Sequence, residues 1–109
     1  MTDSTLKGLY EVVKNRKENP EEGSYTCYLF DKGLDKILKK CGEENAEMII
    51  AAKNHDNDEL ANEMCDLIYH MLVLMVENGV SLEDVMDILE QRRQKIGNLK
   101  TFHQVDKES

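Results

Sequence analysis

The sequence predicts an all-α fold, a small helical bundle of four to five helices completed by dimerisation, and three observations carry that expectation. Apolar residues recur at spacings of three and four along most of the chain, and no stretch alternates strictly as a half-buried strand would. Trp is absent, Pro20 is the only proline and aromatics make up 6% of the residues, while Leu, Met, Ile, Glu and Lys are plentiful, a balance that favours helices over strands. The length, 109 residues, allows one domain, and a bundle of that size gains core by pairing with a copy of itself.

The first helix is read from Leu6, Leu9, Tyr10, Val12 and Val13, with Lys7, Glu11 and Lys14 on the other side. It ends near Asn19-Pro20, and Asn19 to Ser24 is a loop punctuated by Pro20 and Gly23. Tyr25 to Phe30 begins a short second helix that Gly33 breaks. A long third helix spans residues 34–53 on Leu34, Ile37, Leu38, Cys41, Met48, Ile49 and Ala52. Gly42 lies inside it at a cost of roughly 1 kcal/mol against Ala, so either a neighbour packs closely there or a ligand approaches the backbone.

Asn54 to Asn57 forms a turn, and Asp56 with Glu59 has the spacing of a capping box. The fourth helix spans 58–78 and ends at Gly79, a natural left-handed cap. Ser81 starts the last helix, with Glu83 and Asp84 in its positive first turn. Leu82, Val85, Ile88, Leu89 and Ile96 give that helix its apolar stripe, and Gly97 is expected to end it. Residues 1–100 are thus the domain, and residues 101–109 a polar C-terminal tail.

Several function classes drop out on composition. A net charge of −8 argues against nucleic-acid binding, which needs clustered cations. Cys27, Cys41 and Cys65 are odd in number and widely spaced, so they read as small buried or half-buried hydrophobes rather than as a disulfide framework or a zinc pair. The N-terminus has no signal pattern, and the apolar run Leu67 to Val76 is too short to span a bilayer. The expected setting is cytoplasmic, with no membrane partner.

Two acidic pairs carry the chemistry. Glu44 and Glu47 lie three apart on the third helix, and Glu63 and Asp66 three apart on the fourth. Residues at i and i+3 share a helix face. A short turn makes the two helices antiparallel neighbours, and the pairs sit at similar distances from it, so four carboxylates can converge. Carboxylates about 4 Å apart repel by roughly 4 kcal/mol per pair at an effective dielectric near 20. Such a group takes up protons or recruits a cation, and oxygen-only donors favour Mg²⁺, with Mn²⁺ as the other choice. Magnesium shares its shell with phosphates, which points to a nucleotide substrate. Solvated surface acids are the bland alternative for either pair alone; two pairs placed symmetrically about one turn, in largely apolar helices, favour the site.

At these residues the sequence becomes recognisable. Leu38 to Glu47 and Glu63 to His70 resemble the phosphoribosyl-ATP pyrophosphatase family of histidine biosynthesis, within the MazG-like all-α nucleoside-triphosphate pyrophosphatases. The hallmark of that group is E-x-x-E followed by E-x-x-D, matched here by Glu44, Glu47, Glu63 and Asp66. Narrower motifs select the histidine branch: Gly23-Ser24-Tyr25-Thr26 after Pro20, Lys39-Lys40-Cys41-Gly42-Glu43-Glu44, the run Asp66 to Leu74, and Ser81 to Val85. Relatives in this branch are often fused to a cyclohydrolase domain, and a chain of this length would be the stand-alone form.

The resemblance implies hydrolysis of phosphoribosyl-ATP to phosphoribosyl-AMP and pyrophosphate, with Mg²⁺ on Glu44, Glu47, Glu63 and Asp66 and a carboxylate, Glu44 or Glu43, accepting the proton of the attacking water. Candidate substrate contacts are Lys39, Lys40 and Arg92 for charge, and Ser24 and Thr26 for hydrogen bonds. Arg92 is in phase with Leu82, Val85, Leu89 and Ile96, so it is expected to face inward. His70 reads as a satisfied core histidine, or as a partner of a site acid. Tyr25 and Thr26 read equally as substrate contacts or as helix-entry packing. Two other readings stay open: a house-cleaning pyrophosphatase acting on (d)NTPs with the same acids, and a non-catalytic helical dimerisation module.

Overall fold

A computed structural model describes residues 2–98. Among these the chain forms five helices, α1 Thr2–Glu18, α2 Tyr25–Lys32, α3 Leu34–Lys53, α4 Asn57–Asn78 and α5 Leu82–Asn98, and no strand. The expected tail, residues 101–109, lies outside the described residues.

The breaks between helices follow local chemistry. The Ser24 Oγ accepts from the Cys27 N–H at 3.1 Å and caps α2. Gly33 carries a φ of +95°, which lets α2 stop and α3 start one residue apart. Asp56 accepts from the Glu59 N–H at 3.1 Å at the head of α4, and Ser81 accepts from the Asp84 N–H at 3.0 Å at the head of α5. Gly79 closes α4 in the left-handed conformation. Gly97 does not end α5: the helix runs through it to Asn98. A lone glycine costs a helix only about 1 kcal/mol and need not stop it.

Helices α1 to α4 make the packed body, with α3 and α4 side by side as its largest contact. Each of the four contributes one fully buried residue to the core: Val13, Leu29, Ile37 and Val73. Burying such a side chain stabilises by roughly 1.5–3 kcal/mol, so every helix of the body is anchored by at least one. The Tyr10 hydroxyl donates to the Val80 carbonyl at 3.2 Å, and Lys17 pairs with Glu77 at 2.8 Å, fastening α1 along α4.

Helix α5 stands apart. It is bent 118° from α4 and, among the described residues, has no extensive packing against any other helix. Leu82 at its start is buried, but Ile88 and Leu89 are each 50% exposed and Ile96 73%. No single helix among the described residues is long and apolar enough to cross a membrane.

Candidate metal and phosphate site

The α3–α4 hairpin brings the predicted acids together. Glu44 of α3 and Glu63 and Asp66 of α4 each present an oxygen within 4.8 Å of the others. Glu47 is outside that group of three but close enough to Glu63 to be the first cause of its raised titration. Two neighbouring carboxylates share a hydrogen bond only when one keeps a proton. Accordingly the Glu63 carboxyl is pushed up to about 7, first by hydrogen bonding with Glu47, then by partial desolvation and the charge of Glu47, with a further contribution from Asp66. Glu44 also titrates above the ordinary carboxylate range, chiefly because it is buried and then because Glu47 and Asp66 repel its charge; His70 and Lys40 oppose the rise.

This donor set fits a hard divalent cation. All donors are carboxylate oxygens, and bringing them together without a cation costs protons. Glu44 is only 7% exposed, and its Oε2 is buried with no hydrogen-bond partner among the described residues. A buried oxygen without a partner costs about 1–3 kcal/mol, more when charged, and a cation held there would offset that cost.

The predicted cations divide. Lys40 stands at the rim of the cluster, 3.2 Å from Glu43 and 3.8 Å from Glu44. Glu43 itself is exposed and stays outside the four-acid group. Lys39 is exposed on another side of α3 and forms no ion pair among the described residues. Arg92 does not face inward. It is exposed, because α5 leaves the body and has no interior for its stripe to face.

The loop residues act locally. Ser24 spends its oxygen on the α2 cap. The Thr26 hydroxyl is hydrogen-bonded to the Tyr69 hydroxyl of α4, so it fastens the entry of α2 to the acid-bearing helix. The loop before it is tied by Cys27, whose thiol donates to the Arg16 carbonyl at 3.3 Å and accepts from the Glu21 N–H at 3.3 Å. All three cysteines are free; Cys27 and Cys41 are half-buried, whereas Cys65 is exposed, not buried as expected, since it lies on the outer side of α4. Gly42 has open space where a Cβ would stand, so no neighbour among the described residues requires glycine there.

His70 is a satisfied core histidine. Its Nδ1 donates to the Asp66 carbonyl at 2.7 Å, which leaves Nε2 to accept from the Tyr25 hydroxyl at 3.1 Å. The bond reaches the backbone of a site acid rather than its carboxylate. Tyr25 thereby joins the site: it bonds to the acid helix, and its own titration is raised by burial while responding to the charges of Lys40 and Glu44. Its ring stacks on Tyr28, with centroids 6.0 Å apart and planes 25° apart. Tyr28 was not among the predicted site residues, although its i, i+3 spacing from Tyr25 placed the two rings on one face of α2.

The chain matches the family described as phosphoribosyl-ATP pyrophosphohydrolase over residues 6–93, a span that includes all four acids. It is 59% identical over 95 residues to a phosphoribosyl-ATP pyrophosphatase of Clostridium novyi, covering 87% of this chain and 86% of that one. A protein of the same name from Streptococcus gordonii is 54% identical over 101 residues, covering 93% and 97% of the two chains. One from Listeria welshimeri is 56% identical over the same length, with the same coverage.

Proposed function

The chain belongs to the phosphoribosyl-ATP pyrophosphohydrolase family, and on that premise we propose how its own residues carry out the reaction. It hydrolyses phosphoribosyl-ATP to phosphoribosyl-AMP and pyrophosphate in histidine biosynthesis. The observation that carries the mechanism is the convergence of Glu44, Glu63 and Asp66, with Glu47 close enough to act on Glu63. Those four acids would hold Mg²⁺, or Mn²⁺ in its place. When bound, the cation supplies Lewis-acid polarisation of the phosphoanhydride and offsets the charge of the triphosphate.

The remaining work falls to side chains at the rim. Lys40, paired with Glu43 and Glu44, gives the triphosphate a positive contact beside the acids. The proton of the attacking water goes to a member of that same group. Glu43, next to the cluster and exposed, accepts it and passes it to solvent, leaving Glu44 to bind. The Tyr25–His70 bond and the Thr26–Tyr69 bond hold the mouth of α2 against the acid helix. They keep the substrate side of the site in register with the metal side.

The enzyme acts as a homodimer in the cytoplasm. Ile49 and Ile50 of α3, Met64, Ile68 and Met71 of α4, and Ile88, Leu89 and Ile96 of α5 are 43% exposed or more, more apolar surface than one small bundle leaves uncovered without use. Light scattering is expected to show twice the chain mass of 12.6 kDa at micromolar concentration; a monomer there refutes the dimer.

A substrate panel with product analysis tests the activity. Phosphoribosyl-ATP is expected to be turned over at least about 100-fold more efficiently than ATP or any dNTP, a discrimination of roughly 2.7 kcal/mol. Pyrophosphate should appear without direct release of orthophosphate. Equal hydrolysis of dCTP or dUTP would replace this reading by a house-cleaning one and leave only the metal site.

A further inference from the structure

The four acids grip the phosphoanhydride end of a nucleotide and say nothing about its other end. Phosphoribosyl-ATP differs from ATP by a second ribose phosphate on the purine, a dianion that needs cations. Four cations already have carboxylate partners among the described residues: Arg16 with Glu21, Lys17 with Glu77, Lys40 with Glu43 and Glu44 at the rim of the acid cluster, and Arg93 with Glu90. An open cleft of about 1050 Å³ beside the Gly23 loop has Arg16 and Lys17 as its cations, so it has no spare charge for an anion.

Lys32 and Lys36 differ. Neither forms an ion pair among the described residues, although Asp31 and Asp35 are their sequence neighbours. Both ammonium groups instead converge on the ring of Tyr28, with Nζ 5.8 and 5.9 Å from its centroid. Two like charges meeting at one exposed aromatic ring, in a chain of net charge −8, are stabilised by the ring only modestly, by about 0.5–1 kcal/mol for each exposed contact. An anion within reach of both meets two charges that no ion pair among the described residues offsets.

Their position suits one anion in particular. Lys36, Lys40 and Glu44 succeed one another at four-residue steps along one face of α3, so Lys36 lies about 12 Å along the helix axis from Glu44. Tyr25 bridges that interval. It hydrogen-bonds to His70 on the acid helix, responds to Lys40 and Glu44, and stacks on Tyr28. A continuous track therefore runs from the acids through Lys40 and the Tyr25–Tyr28 pair to Lys32 and Lys36.

We propose that Lys32 and Lys36, gathered on Tyr28, bind the distal ribose phosphate of the substrate and so determine its selection over plain nucleoside triphosphates. The inference rests on the activity proposed above. The purine lies along the tyrosine pair, and its two phosphate ends reach the acids in one direction and the lysines in the other.

The test compares phosphoribosyl-AMP, which keeps the distal phosphate, with AMP, which lacks it. Both are titrated by calorimetry in metal-free buffer into the wild-type protein and into Lys32→Ala/Lys36→Ala. The double variant should bind phosphoribosyl-AMP at least about 10-fold more weakly while its affinity for AMP stays within about twofold. With Mg²⁺, its KM for phosphoribosyl-ATP should rise by a similar factor with kcat within about threefold. Lys36→Arg should retain wild-type affinity, and Lys36→Gln, a milder change that any stable fold tolerates at an exposed rim, should show the same loss at smaller size. Unchanged phosphoribosyl-AMP affinity in the double variant overturns the subsite, as does an equal loss for AMP, which would mark a general field effect. The activity reading fails separately, on the wild-type protein, if phosphoribosyl-ATP is not preferred to ATP; this inference then falls with it.

Discussion

Helices α4 and α5 follow one another and carry similar apolar stripes, yet the structure treats them differently. Leu72 and Val73 of α4 are at most 1% exposed, held by α1, α2 and α3. The corresponding stripe of α5 loses Leu82 to the interior and leaves Ile88, Leu89 and Ile96 in the open. A stripe therefore shows that a face wants covering and does not say what covers it. The consequence for function is direct. Glu63 and Asp66 ride on the helix whose back is locked into the core, which holds their oxygens in place; Arg92 rides on the helix whose back is not, and it is exposed with no ion pair among the described residues.

The contrast is sharpest in activity. Excess chelator is expected to reduce turnover to background, because the acids of α3 and α4 repel a triphosphate unless a cation joins them. Full activity in chelator would remove the acid cluster from the mechanism. Glu63→Gln and Asp66→Asn should each lower kcat by at least about 100-fold, some 2.7 kcal/mol of barrier, with the helical circular-dichroism signal intact. Their melting temperature in metal-free buffer should hold or rise, since each change relieves repulsion. A marked loss of stability without metal would mark the pair as structural.

Packing changes separate the two helices next. Leu72→Ala in α4 should cost about 2–5 kcal/mol in chemical denaturation, the range for a buried leucine. Ile88→Asp in α5 should leave the helical content of the protein nearly unchanged and convert the proposed dimer to monomer in light scattering. If Ile88→Asp instead unfolds the chain, α5 belongs to the core after all.

The smallest expected effect is a slope with pH. The Glu63 carboxyl titrates near 4.5 in an unfolded chain and at about 7 in the folded one. Between those values the folded state holds a proton that the unfolded state has released. Unfolding then releases protons, so the stability contributed by this group is full below pH 4.5 and declines as pH rises towards 7. Melting temperature in chelator should fall across that window, and the slope should vanish in Glu63→Gln. A rise over the same range would mean that Glu63 is ionised and paired in the folded protein.

Much of this was legible in the residues. Ser81, Asp56, Gly33 and Gly79 announce helix ends because capping is a local hydrogen-bond problem solved within four residues. The i, i+3 spacing of the acids on either side of a short turn is equally local, and it placed Glu44, Glu63 and Asp66 together. Tyr25, Tyr28, Lys32 and Lys36 were not legible as a group. They come from two helices that meet through Gly33, and the convergence of two lysines on one ring depends on the angle between those helices.

What the sequence determined by itself was the set of helices, their ends and the acidic face, since each depends on interactions that span one or two turns. What only the tertiary structure decided was which faces found a partner. His70 found Tyr25 and the Asp66 carbonyl, Thr26 found Tyr69, Glu44 kept one oxygen unpartnered, and α5 turned away with Arg92 exposed. The physical reason is that periodicity encodes the direction of a side chain around its own helix axis, whereas burial and pairing depend on where the neighbouring axes lie, and those are set by packing of the whole body at once.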